Sequence, residues 1–158
     1  MKQLFRILVL PFCALCLFGA TVPALAQEGE TQTDSLFGEP SHKLVYQLNQ
    51  ADPDYMDHIL FSAGAMLRKF GDDIKIVITL IGPGVHLAAK NPGRPVPEEL
   101  RQRAESLAMY DVEFHVCGNT LKSLEWTMDD MESYATYVEV GAADLMLLQE
   151  QGFSYISW

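Results

Sequence analysis

The segment that most narrows what this chain can fold into is Ile74-Lys75-Ile76-Val77-Ile78-Thr79-Leu80-Ile81. β-branched residues occupy both alternating sets of positions, which a strand with one wet face does not show. The run therefore predicts a central strand, covered on both faces. It feeds directly into Gly82-Pro83-Gly84-Val85-His86, a turn whose glycines let backbone come close to a ligand.

A strand covered on both faces belongs to a parallel sheet, and parallel strands need long crossovers between them. The rest of the chain supplies them. Lys43 to Leu48 reads as a first strand. Asp52-Pro53 is a helix start, with Asp as N-cap and Pro in the first turn. Met56, Ile59, Leu60, Ala63, Met66, Leu67 and Phe70 follow at helical spacing, and Gly71 ends the run. Asn91 to Pro97 is a Pro/Gly-rich loop, and Pro97-Glu98-Glu99 opens a second helix that turns Leu100, Ala104 and Leu107 inward.

Val112 to Cys117 alternates as a strand, and a short helix is expected from Thr120 to about Trp126, with Asn119 able to cap it. Thr127 to Met131 reads as a further helix start over Met131-Glu132-Ser133-Tyr134. Tyr137 to Val140 is a short strand, Ala142 to Gln151 a helix ending at Gly152, and Phe153 to Ile156 a fifth strand. Strands alternating with helices predict the α/β class: a three-layer α/β/α sandwich around a five-stranded parallel sheet.

The ends and the charge bound the function. Lys2 and Arg6, the apolar core Ile7 to Ala20 and Ala24-Leu25-Ala26 form a secretory signal pattern, which places the signal peptide at residues 1–26. Gln27 to Ser41 is polar, acidic and aperiodic and reads as a flexible leader, so the folded domain is expected over 42–158. Export to the periplasm or the exterior follows, with no membrane insertion after cleavage. Cleavage would leave nine basic against 21 acidic side chains, a net charge of −12. Such a surface repels phosphate backbones, which excludes nucleic acid as a partner.

Loss of Cys13 and Cys16 with the signal would make Cys117 the sole thiol. It falls where a strand ends and a helix begins, the edge at which open α/β sheets bind ligands. A helix N-terminus favours thiolate over thiol, and the amides of Gly118, Asn119 and Thr120 are candidates to cradle an anion there. The competing reading is a small buried hydrophobe, the usual state of a free cysteine. His115 shares a strand face with Cys117, and His86 follows the glycine turn at a second strand end; either is a candidate proton handler or a packed ring. Gly82 and Gly84 are turn formers first and ligand contacts second; the turn lacks a dinucleotide or P-loop fingerprint. With one cysteine, scattered histidines and no CxxC, neither a metal site nor a cofactor is expected.

Three landmarks, Thr79 to Val85, Val112 to Leu121, and Gly141-Ala142-Ala143-Asp144-Leu145 through Gln151 to Ile156, resemble the DsrE/DsrF-like family across Lys43 to Trp158. The resemblance implies a small α/β/α domain with a five-stranded parallel sheet that assembles into homo-oligomers. It also implies a role for Cys117, since the sulfur-relay members carry a persulfide on the cysteine after the equivalent strand. The sequence departs from those members in offering only Lys122 where they have paired arginines, and in its export signal and acidity. They act in the cytoplasm within hetero-oligomers, some of them on tRNA.

The expected function is sulfane-sulfur binding or relay through Cys117, with a sulfur donor or acceptor protein or a small sulfur compound as partner. At most it is a carrier or transfer protein. A non-catalytic ligand-binding or assembly module and a thiol redox sensor are the alternatives. Tyr134, Tyr137, Phe153, Tyr155 and Trp158 suit either packing of the last strands or a contact between copies.

Overall fold

The computed structural model describes residues 38–158; the signal peptide and most of the leader read from the sequence lie outside the described residues. Five strands, β1 His42–Leu48, β2 Ile74–Leu80, β3 Glu113–Cys117, β4 Ala135–Val138 and β5 Ser154–Ile156, form one parallel sheet in the order β4-β3-β2-β1-β5. Four helices connect them: α1 Pro53–Phe70, α2 Glu98–Ala108, α3 Gly118–Ser123 and α4 Gly141–Glu150.

The strand order decides which face each helix covers. Strands β1 to β4 step in one direction, so right-handed crossovers send α1, α2 and α3 to one face. The step from β4 to β5 runs back across the whole sheet, and the same handedness sends α4 to the opposite face. Strand alternation then sorts the side chains. Leu44, Tyr46, Ile76, Ile78, Leu80, Phe114 and Val116 pack with Met56, Ile59, Leu60, Leu100 and Leu121 on the first face. Val45 and Val77 pack with Leu145, Leu148 and Phe153 under α4.

Local signals set the helix ends. The Asp52 carboxylate accepts from Tyr55 N–H at 2.9 Å, and Gly71, at φ 58, terminates α1 where a side chain would be strained. The turn after β2 winds through residues Gly82–Ala88 as a 3-10 segment, longer than the sequence suggested, with Val85, His86 and Leu87 buried.

Three expectations shift. Helix α3 begins at Gly118, so Cys117 itself occupies the N-cap position and Asn119 lies inside the helix. Thr127 does cap, and it forms a reciprocal box with Asp130, but the helix it starts is a single turn, Met128–Asp130. Met131 leaves that turn because it is buried in the first core and bridges Ala89 in extended form. Strand β4 is Ala135–Val138, two residues earlier than Tyr137 to Val140. Val140 is the residue before α4, and Gly141 already belongs to the helix.

Candidate functional site

Cys117 ends β3 with its side chain on the α4 face, beneath the start of that helix. Its Sγ accepts a hydrogen bond from Gly141 N–H, the first residue of α4, at 3.3 Å. The approach requires glycine: a Cβ at position 141 would lie 3.0 Å from Cys117 Cβ and 2.7 Å from Ile81 Cγ1. The sulfur is therefore met by two helix starts, α3 continuing from its own backbone and α4 arriving from 24 residues away. Both helix dipoles favour negative charge at that point.

Burial and hydrogen bonding act on the thiol in opposite senses. Burial alone raises its pKa, since Cys117 is only 4% exposed. Donation from Gly141 N–H, then from the Thr120 hydroxyl and the Thr120 and Asn119 amides, outweighs that cost and leaves the thiol below its ordinary value. Thr120 is oriented for this. Gly82 N–H donates to Thr120 Oγ1 at 2.9 Å, which leaves the hydroxyl proton to point at sulfur. Asn119 N–H gives its short bond to Glu139 O at 3.2 Å, so its pull on the sulfur is the weakest of these.

A cavity of about 500 Å³ opens beside the sulfur. Cys117, His86, Gly82, Asn119 and Thr120 line it together, with Arg94 at the rim and Ile81, Leu124 and Val140 as apolar wall. His86 is 4% exposed, its Nδ1 has no hydrogen-bond partner, and its ring meets Trp126 edge-on at 5.1 Å. Burial, and after it the Arg94 cation, hold its pKa below the ordinary value, so it is neutral at pH 7. Among the described residues Arg94 makes no ion pair, which leaves its guanidinium to whatever anion enters.

Three residues singled out in the sequence are not in that cavity lining. Gly84 is buried against β1, where a Cβ would overlap the Leu48 carbonyl. Gly118 is covered by the Tyr137 ring. His115 lies deeper under α4. Its Nδ1 is 3.0 Å from the Asp144 carboxylate oxygens, and its Nε2 is 3.1 Å from Glu113 Oε2. Carboxylates only accept, so both ring nitrogens donate and the ring is an imidazolium. Burial opposes that charge, but the bonds His115 donates to Glu113 and Asp144 prevail and raise its pKa. The bond from His115 likewise dominates at Glu113, whose carboxyl falls to about 2. Asp144 also accepts from Thr79 Oγ1 at 2.8 Å.

Sequence reasoning assigned no role to Gly141, Asp144 or Arg94. Gly141 and Asp144 stand in a quoted landmark, but their contacts cross from α4 to β2 and β3, which no local pattern reveals. Arg94 lies in the Pro/Gly-rich loop, where an isolated cation carries no periodic signal.

A larger concavity of about 730 Å³ lies between α1 and α2, lined by Leu60, Phe61, Arg68, Arg103 and Tyr110 among others. It contains no thiol or histidine, and Arg103 is paired with Asp57. Chemistry therefore favours the smaller cavity. Among the described residues no group of histidine, cysteine, aspartate and glutamate is arranged to hold a metal, and no helix is long and apolar enough to cross a membrane.

An open parallel α/β sheet with an amide-bonded thiol at a strand end defines a class of small strand-edge thiol domains. The chain belongs to the DsrE/DsrF-like family, whose model matches residues 36–158. Its fold is similar to that of a protein of unknown function, MTH1491, from Methanobacterium thermoautotrophicum, at a TM-score of 0.67 and 18% identity, covering 74% of this chain and 99% of that one. It is also similar to the ychN protein from E. coli, at 0.56 and 14%, with the same coverage. At these identities the two structures speak to the fold alone. No match was found among curated proteins.

Proposed function

We propose that this protein accepts sulfane sulfur on Cys117 and holds it as a persulfide for transfer. The observation that carries the reading is the Gly141 N–H bond to a thiol that also borders a cavity. A merely buried cysteine needs neither. The Cys117 thiolate attacks the outer sulfur of a donor persulfide or polysulfide. The new S–S bond forms as the donor S–S bond breaks, and the electron pair leaves on the donor's thiolate. No net oxidation occurs, so no second cysteine is required. Neutral His86, lining the same cavity, can accept the proton of the transferred sulfane sulfur and, as imidazolium, pass it to the departing thiolate, and Arg94 can attract an anionic donor.

The signal pattern supports a periplasmic or secreted location, and the acidic composition disfavours a nucleic-acid client. Tyr137, Val140, Met146 and Leu147 expose apolar surface around the start and outer side of α4, which supports self-association there.

Intact-mass spectrometry after polysulfide treatment tests the reading. A gain of one sulfur atom, about 32 Da, that dithiothreitol removes and Cys117→Ser abolishes is expected. No adduct, or one that persists in Cys117→Ser, overturns it.

A further inference from the structure

The imidazolium under α4 and the sulfur at its first residue are parts of one connected structure. Asp144 stands one turn into α4, three residues after Gly141, and its backbone N–H continues the helix by donating to Val140 O at 3.0 Å. Its carboxylate is held from below by two strands, through His115 on β3 and Thr79 on β2. No side chain caps α4, and its apolar anchors, Leu145 and Leu148, lie beyond Asp144. Among the described side chains, Asp144 makes the only polar side-chain bonds from the first turn of α4 to the sheet. That turn is the one that delivers the Gly141 N–H to sulfur.

We propose that His115 is a positioning residue for Cys117: its imidazolium fastens the first turn of α4 to the sheet and so keeps the Gly141 N–H on the sulfur. The charged groups around the ring are consistent with this. Asp144 faces it from α4 and Glu113 from its own strand, and Glu113 is paired in turn with Lys75 of β2 at 2.9 Å. Thr79, the neighbour of His115 in the β2–β3 register, is uncharged and spends its hydroxyl on Asp144. The ring thus carries one positive charge between two acceptors, two residues and so about 7 Å along the strand from Cys117. It serves the sulfur twice. It clamps the donor's helix, and it offsets the Asp144 charge that would otherwise oppose a thiolate.

His115 has no direct bond to the sulfur and takes no part in proton transfer in this account. The inference rests on the reading of Cys117 as a reactive thiol, not on what sulfur compound it meets. The test therefore uses iodoacetamide, which needs no sulfur donor, and follows the rate of Cys117 alkylation against pH in the full-length protein as expressed. His115→Gln keeps a polar side chain and removes the charge. Its expected profile moves up by about one pH unit, a tenfold loss of alkylation rate on the low-pH limb, where thiolate fraction sets the rate. Amide exchange at Gly141 should quicken in the same variant.

Asp144→Asn, nearly isosteric, weakens the clamp from the other side and should quicken Gly141 exchange as His115→Gln does, while its alkylation profile moves up by less, because the substitution also removes the negative charge that opposes a thiolate. It also keeps the proposal testable if His115→Gln does not fold. A variant that folds with unchanged alkylation profile and unchanged Gly141 exchange overturns the positioning role. A failed polysulfide adduct with these shifts intact would instead overturn only the persulfide reading.

Discussion

The two faces of the sheet are built differently. Under α1, α2 and α3, the strands present Leu44, Ile76, Ile78, Leu80, Phe114 and Val116 to an apolar layer whose buried phenol, Tyr46, is satisfied by Ser62 at 2.8 Å. Under α4, a small apolar cluster shares the space with an ion-paired histidine, a threonine and the cysteine. The first face holds the fold together by removing apolar surface from water. The second gives up apolar area for groups that cost free energy to bury and are kept only by mutual bonding. A cleft thiol has its chemistry on the less stabilised face, where one helix can be adjusted without disturbing the main core.

Substitutions on the two faces should therefore separate stability from reactivity. Phe114→Ala on the apolar face removes a fully buried ring and should cost about 3–5 kcal/mol in urea unfolding, with the Cys117 alkylation profile unchanged wherever the variant is folded. Under α4, Leu148→Ala should cost about 2 kcal/mol, because that site is smaller and less completely enclosed. Equal losses at the two sites would erase the distinction.

Gly141→Ala reverses the balance. The added methyl meets Ile81 and Cys117, so the start of α4 must shift. A loss of about 1–3 kcal/mol is expected, together with slower alkylation at pH 7. Retained alkylation would mean that the sulfur does not depend on that amide.

The pH dependence of stability provides the smallest effect and the finest test. Glu113 is lowered to about 2 in the fold, so its contribution is present above the ordinary glutamate value and is lost as pH falls toward 2. The His115 pKa is raised, so its contribution is full below the ordinary histidine value of about 6.5 and is lost as pH rises through the folded value. Urea midpoints should thus fall on both sides, and His115→Gln should flatten the alkaline side and also weaken the acid side, since the His115 bond is the main cause of the Glu113 shift. An alkaline slope unchanged in that variant would remove the imidazolium from the account.

The apolar face was the legible one. The run from Ile74 to Ile81, the Asp52-Pro53 start and the Gly71 stop act through nearest neighbours, so periodicity and caps locate them. The placement of Cys117 at a strand end was legible for the same reason. Its donor was not. The nearby amides of Gly118 and Asn119 were the natural candidates, yet the principal bond comes from Gly141, brought there by the return crossover to β5. His115 was legible as a neighbour of Cys117 on one strand face, but its partner Asp144 lies 29 residues on, across a helix packing that only the strand order determines. Strand β4 slipped by two residues because Ala135-Thr136 is a weak strand signal at a sheet edge, where pairing with β3 decides the boundary.

The central claim is that the Gly141 amide at the start of α4, with the Thr120 donors, lowers the Cys117 thiol pKa below its ordinary value despite its burial. Its most direct test is the pH dependence of Cys117 alkylation in the unmodified protein. The account predicts an apparent pKa below the ordinary thiol value of about 8.5. A value at or above 8.5 would contradict it and leave Cys117 as a packed hydrophobe beside an incidental cavity.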